Sequence, residues 1–249
     1  MPLATTLKST IKRLVPKGAM LKLRKFRHKS SMEMYKNMEN NEAVFDKVYT
    51  DLVWKEGTET DSASGDGSFG PWLEESVKYI ASAKFLEGKK VLEIGCGDFS
   101  FGSKVAGFAD HYTGGDVSGV IIEKNKERYA NMENVTFMQV DATAGPLPQA
   151  DVVIIRQVLQ HLPNGMIEDV LKQIEKIDPG KVIVFEDVPA DAFEPNVDLE
   201  TAGPYTRHLY GSGVDLSKAP FSRNFKSTKE WLHPRHPQVP ARLVCYELN

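Results

Sequence analysis

The sequence predicts an α/β fold of the doubly wound kind, with a mostly parallel sheet and an N-terminal helical extension. Short apolar runs recur along the chain, helical patterns alternate with them, and a glycine turn follows the first run directly.

Residues 1–32 carry nine Lys or Arg and no acid. Leu7, Ile11, Leu14 and Val15 fall at helical spacing, Pro16 and Gly18 interrupt, and Met20, Leu21, Leu23 and Phe26 continue among basic neighbours. A basic amphipathic segment of this kind suits an anionic membrane surface; a packing helix and an acid-poor targeting sequence are the alternatives. Val44, Phe45, Val48 and Tyr49 predict a short helix within 37–54, and residues 57–70 form a polar loop rich in Gly, Ser and Asp. The expected division is therefore an extension over 1–56 and a main domain over 57–249.

Pro71 opens a helix through residue 84, where its missing N–H costs nothing. Strands are expected at 90–94, 112–116, 135–140, 151–155 and 181–185, each an apolar run of the kind buried inside a parallel sheet. Helical patterns at 101–108, 120–129 and 166–177 separate them, so right-handed crossovers join the strands. The run 242–248 closes the chain as a last strand. Trp231, His233, Arg235 and His236 lie close to prolines and read as a surface turn.

The chain has 249 residues, 41% hydrophobic and 26% charged, enough for one large core. Cys96 and Cys245 lie far apart without ligand spacing, which indicates neither a disulfide framework nor a zinc site and fits a reducing compartment. No apolar run approaches the roughly 20 residues of a membrane span. A cytoplasmic protein is expected, with peripheral contact at the inner membrane surface through residues 1–30. The net charge of −3 hides an asymmetry: beyond residue 32 the chain holds 22 basic residues against 34 acidic ones. An acidic body argues against nucleic acid as a partner.

The turn VLEIGCGDFSFG spans residues 91–102 and runs straight into a helix. Gly95 and Gly97 allow a tight turn and close approach of the backbone to a ligand, and the helix start offers free N–H groups to a carboxylate. A nicotinamide-binding turn would need a third glycine where Ser100 stands; Gly102 comes two residues late. Asp116 ends the second strand and can accept both hydroxyls of a ribose. Asp141, followed by Ala142, ends the third, where an adenine amino group needs an acceptor.

On these residues the chain resembles the class I S-adenosylmethionine-dependent methyltransferases, whose first motif E-x-G-x-G is matched by Glu93, Gly95 and Gly97. The resemblance covers about residues 60–249 and implies a Rossmann-like domain that binds S-adenosylmethionine and releases S-adenosylhomocysteine. It places Glu93, Gly95, Cys96 and Gly97 around the methionine portion, Asp116 and Val117 at the ribose, and Asp141 and Ala142 at the adenine. A finer resemblance is to a subgroup associated with surface-polysaccharide and other glycan pathways. Its S-G-x-G-S motif is matched by Ser64, Gly65, Gly67 and Ser68, which adds Ser64 and Gly67 to the cofactor set. Its late motif is matched partly, by Arg207, Leu216, Pro220 and Phe221 with a longer spacer.

Methyl transfer aligns a nucleophile with an activated carbon and removes the nucleophile's proton. Strand four delivers Arg156 and Gln157 to the ligand edge, and His161 follows; its ordinary pKa of about 6.5 suits a base. Arg156 stays protonated and reads as an anion-binding group in the cofactor set. Strand five delivers Glu186 and Asp187, an adjacent pair facing opposite sides, with Asp187 the second candidate base. The long loop 189–223 reads as a lid or acceptor wall. Gln157, Tyr205 and Arg207 are the substrate candidates, and no metal is expected. The favoured function is O-methylation of a sugar, a glycan or another small hydroxyl acceptor. Alternatives are an N- or lipid-head-group methyltransferase, a non-catalytic cofactor-binding scaffold at a membrane and, more distantly, a dehydrogenase.

Overall fold

The structure, a computed structural model, describes residues 32–54, 64–68, 70–233 and 241–248. The basic segment of residues 1–30, Arg235, His236 and the side chain of His233 lie outside them.

In chain order the elements are α1 (Asn41–Thr50), α2 (Gly70–Ala83), β1 (Lys90–Ile94), α3 (Gly102–Val105), β2 (His111–Asp116), α4 (Gly119–Arg128), β3 (Val135–Gln139), β4 (Val152–Arg156), α5 (Asn164–Ile177), β5 (Lys181–Pro189), β6 (Lys226–His233) and β7 (Ala241–Leu248). The seven strands form one sheet in the order β3-β2-β1-β4-β5-β7-β6. The first five run parallel, and β7 lies antiparallel to both β5 and β6. This is the expected Rossmann-like, mostly parallel doubly wound sheet.

Alternation along the central strands splits the core in two, because successive side chains point to opposite faces. Leu92 and Ile94, Val153 and Ile155, and Val182 and Val184 face α5, while Val91, Val152, Ile154, Ile183 and Phe185 face α2. Helix α5 buries Ile167, Val170, Leu171, Ile174 and Ile177 along one stripe. At about 1.5–3 kcal/mol for each fully buried side chain, packing rather than intrinsic propensity holds this helix. Asn40 caps α1 by accepting the Ala43 amide at 2.9 Å, and Ser118 caps α4 by accepting that of Ile121.

The core does not stop at residue 57. Tyr35, Val44, Phe45 and Val48 pack in the same cluster as Leu92 and Ile94, so α1 belongs to the main body. Three further expectations are corrected. The segment from residue 226 is an edge strand rather than a surface turn, and Trp231 lies within it. Strand β5 runs four residues past Phe185, pairing with β7 as far as Pro189. Residues 101–108 split into a short α-helix and a 3₁₀ turn, Ala106–Phe108.

The loop after β5 is a folded unit rather than a loose lid. Asn196 ties it together: its amide nitrogen donates to the carbonyls of Asp215 and Ala219, and its side-chain oxygen accepts the Asp215 amide. Ser212 bridges the Glu194 carbonyl and the Val197 amide.

Candidate functional site

Across the C-terminal edge of β1 to β4 runs a cleft lined by residues that follow these strands, the edge at which open α/β sheets bind ligands. Its floor is the glycine turn. The amides of Gly95 and Cys96 both donate to the Gly115 carbonyl, at 2.8 and 2.9 Å, which bends the chain sharply out of β1. Gly95 and Gly97 adopt φ values of 70° and 54°, the left-handed region that only glycine enters at no steric cost. A Cβ on Gly95 would stand 2.3 Å from Val158 Cγ2, and one on Gly97 would stand 2.3 Å from Ser64 Oγ.

Two carboxylates mark the β2 and β3 end of the cleft. Asp116 accepts the Gly97 amide at 3.0 Å through Oδ2 and the Ser118 amide at 3.0 Å through Oδ1. Burial pushes its pKa up to about 6, although these backbone N–H bonds oppose the rise. A carboxylate has about four acceptor positions, so Asp116 keeps capacity for a ligand hydroxyl beside its backbone N–H bonds from Gly97, Ser118 and Val117. Asp141 accepts the Thr143 amide and hydroxyl at Oδ1 and the Asn41 side-chain amide at Oδ2. Val117, Val140, Ala142 and Phe45 supply apolar wall around the two acids.

A strap of residues 64–68 crosses the glycine turn. Ser64 Oγ accepts the Asp98 amide at 2.8 Å, the Ser64 amide donates to Asp98 Oδ2, and Tyr49 and Ser64 share a hydroxyl contact at 3.2 Å. Arg156 Nη1 donates to the Gly67 carbonyl at 2.7 Å. Ser64, Gly67, Cys96 and Arg156 therefore line the cleft together. The Nε of Arg156 is buried without an acceptor, an orphaned donor that suits an anionic group. Sequence reasoning missed Asn41, Tyr49, Trp54, Asp98 and Thr143. The first three sit in or just after α1, whose apolar spacing reads only as a packing helix.

The β4 end is built differently. Gln157 adopts φ 56°, a left-handed conformation uncommon for a non-glycine residue, and its side chain reaches Gly67. His161 packs against Trp54 with ring centres 5.2 Å apart and planes tilted by 47°, and its Nδ1 meets the Tyr205 carbonyl at 3.3 Å. A carbonyl only accepts, so Nδ1 carries the proton and Nε2 is the basic nitrogen of the neutral ring. Gln157 and His161 line the cleft with Trp54.

Four of the residues expected at the site do not line the cleft. Glu93 is buried, accepts the Tyr112 hydroxyl at 3.0 Å, and is pushed up to about 8 by burial, against the pull of Arg156. Its place is beneath the glycine turn, since β1 alternation turns it to the α2 face. Asp187 is fully buried against His208, 3.1 Å away, and so is badly placed for a base. Tyr205 meets the site through its backbone carbonyl. Arg207 is fully buried and donates to the carbonyls of Val197 and Leu159 and to Asn164 Oδ1. Burial pushes its pKa down to about 10, with Glu186 and Asp198 opposing. Among the described residues no cluster of three or more His, Cys, Asp or Glu could hold a metal ion, and no helix is long and apolar enough to cross a membrane.

Residues 91–177 match the family model described as a methyltransferase domain. Over 180 residues the chain is 33% identical to the demethylmenaquinone methyltransferase of Staphylococcus aureus (strain MRSA252), which covers 69% of this chain and 68% of that protein. The chain belongs to the class I S-adenosylmethionine-dependent methyltransferases. S-Adenosylmethionine is accordingly its cofactor. The methyltransferase is also 31% identical over 113 residues to phosphoethanolamine N-methyltransferase 1 of Triticum aestivum, covering 43% of this chain but 23% of that relative. Among solved structures, the N-methyltransferase NodS of Bradyrhizobium japonicum WM9, with bound S-adenosylhomocysteine, superposes with a TM-score of 0.58 at 14% identity. It covers 81% of this chain and 98% of that one, a likeness of fold.

Proposed function

We propose that this methyltransferase transfers a methyl group to a hydroxyl of a small uncharged acceptor, of sugar or glycan type, with His161 as the base. The observation that carries the reading is the bond from His161 Nδ1 to the Tyr205 carbonyl, which aims the imidazole while its ring packs at a tilt against Trp54. Among the described lining residues, the carboxylates are Asp116 and Asp141, both at the β2 and β3 end. The β4 end offers an amide, an imidazole and an aromatic face, groups that pair with hydroxyls and with the apolar face of a sugar ring.

The donor set fits the cofactor. Asp116 suits the ribose diol with Val117 beside it, Asp141 and Ala142 suit the adenine, and Gly95, Cys96, Gly97, Ser64, Gly67 and Arg156 surround the place for the amino-acid end. Bound there, S-adenosylmethionine supplies an electrophilic methyl carbon on a sulfonium. Gln157 and Trp54 would hold the acceptor, and His161 Nε2 would take its hydroxyl proton as the methyl carbon exchanges its bond to sulfur for one to that oxygen, with S-adenosylhomocysteine leaving. A positioned base of this kind is worth a factor of about 10² to 10⁴. The basic residues 1–30 support peripheral contact at an anionic membrane surface, where a lipid-linked glycan would be reached.

An amine acceptor is the second reading, favoured by the name of the wheat relative. Calorimetric titration with S-adenosylhomocysteine beside NAD tests the cofactor site: micromolar affinity for the former alone, about 8 kcal/mol, supports it. Transfer of labelled methyl to sugar hydroxyls and to amines, with the native chain and His161→Ala, then separates the acceptors. Hydroxyl methylation that collapses in His161→Ala supports the reading; amine methylation indifferent to that change replaces it.

A further inference from the structure

The turn that carries His161, Leu159–His161, is gripped from both sides by a buried acid and a buried cation. On one side Glu186, within β5, accepts the Leu159 amide at 2.9 Å through Oε1 and the Gln160 amide at 3.2 Å through Oε2. On the other side Arg207 donates to the Leu159 carbonyl at 2.9 Å. The N–H of Leu159 is thus held by an acid of the sheet, whose pKa burial pushes up to about 8, and its C=O by a cation of the loop after β5.

The grip extends outward. Arg207 Nη2 donates to Asn164 Oδ1 at 2.7 Å, Asn164 Nδ2 donates to the Asn196 carbonyl, and the Asn164 amide donates to Asp198. The same loop reaches His161 directly: the Gly203 amide donates to the His161 carbonyl at 3.2 Å, and the Tyr205 carbonyl accepts from Nδ1. Three contacts from residues 203–207 therefore converge on Leu159 and His161, and Glu186 is the jaw they close against. Neither Glu186 nor Arg207 lines the cleft.

We propose that Glu186 and Arg207 are positioning residues that set the tautomer and orientation of the His161 ring. The proposal deepens the reading of His161 as the base and rests on it for its catalytic meaning. Glu186 must present two acceptors to two N–H groups; an amide in its place keeps the shape but turns a donor towards one of them. The turn then shifts, and the Nδ1 contact of His161, already 3.3 Å long, is the first to loosen. Removing the Asn164 side chain releases Arg207 from the other side and gives the same result.

The test uses the full chain with labelled histidine. Long-range nitrogen–proton spectra report the His161 tautomer, and calorimetry with S-adenosylhomocysteine reports the far end of the cleft. In the native protein His161 is expected as the Nδ1–H form. In Glu186→Gln, and separately in Asn164→Ala, it is expected as a mixture of tautomers, with affinity for S-adenosylhomocysteine kept within about twofold. His161 signals unchanged in both variants would overturn the proposal, as would affinity lost more than tenfold alongside them, since the whole edge would then have collapsed. Should Glu186→Gln fail to fold, Asn164→Ala decides alone. The tautomer is read whether or not His161 takes a proton in turnover, so failure of the base reading shows separately, as activity retained in His161→Ala.

Discussion

Asp116 Oδ2 accepts the amide of Gly97 at 3.0 Å, so the acid that ends β2 and the second glycine of the β1 turn form one unit. The bond ties the carboxylate proposed for the ribose to the turn proposed for the amino-acid end of the cofactor. Asp116→Ala is expected to weaken S-adenosylhomocysteine binding by more than tenfold, about 1.4 kcal/mol, measured by calorimetry. Unchanged affinity would remove Asp116 from the cofactor site.

Gly97→Ala should damage the same unit from the other side. The residue sits at φ 54°, where a side chain costs roughly 1–2 kcal/mol, and its new Cβ would stand 2.3 Å from Ser64 Oγ. Loss of S-adenosylhomocysteine affinity and a lower urea midpoint are expected together. Gly107→Ala is the control: an added Cβ there meets nothing within 4 Å, and neither quantity should move.

Glu93 makes stability depend on pH. Burial raises its folded pKa from 4.5 to about 8, so the folded chain holds that proton more tightly than the unfolded chain does. Its contribution to stability is fully present below about 4.5 and is lost as pH rises through about 8. Glu93→Gln cannot ionise, so its stability relative to the native protein should improve between pH 5 and pH 8. Urea unfolding at both ends of that window measures it, and a gap that does not change with pH would show Glu93 already ionised at pH 5.

Most of this architecture is legible in the chain itself. Central strands such as VVIIR are apolar on both faces, and a run of that kind has few other homes. The edge strand KSTKEWLH is not legible, because among the described residues one of its sides has no strand partner and its charges look like a turn. Asp116 and Asp141 announce themselves at strand ends. Asp187 does too, but its burial against His208 depends on a loop that returns from twenty residues later, which no local pattern encodes. Arg207 misleads for the same reason: a cation in a polar loop looks exposed until its three acceptors, contributed by Leu159, Asn164 and Val197, are assembled. Trp54 is hidden because its role arises only where α1 meets the turn after β4.

Trp54 stands at the end of the cleft proposed for the acceptor. Its ring packs 5.2 Å from His161 and edge-on to Tyr49 at 5.5 Å, while Nε1 donates to the Pro204 carbonyl at 3.1 Å. Trp54 lines the cleft, and its N–H pins the loop that also holds His161. Trp54→Phe keeps an aromatic face but drops the hydrogen bond; Trp54→Ala drops both. If the wall carries a sugar's apolar face, KM for the acceptor should rise moderately in the first variant and more than tenfold in the second, with S-adenosylhomocysteine affinity unchanged in each. If the indole matters chiefly as the pin, the two variants should be equally impaired and the loss should fall on kcat, because His161 would be displaced while the acceptor still bound. Initial-rate kinetics on the pair separate a binding wall from a strut, since only the wall distinguishes Phe from Ala.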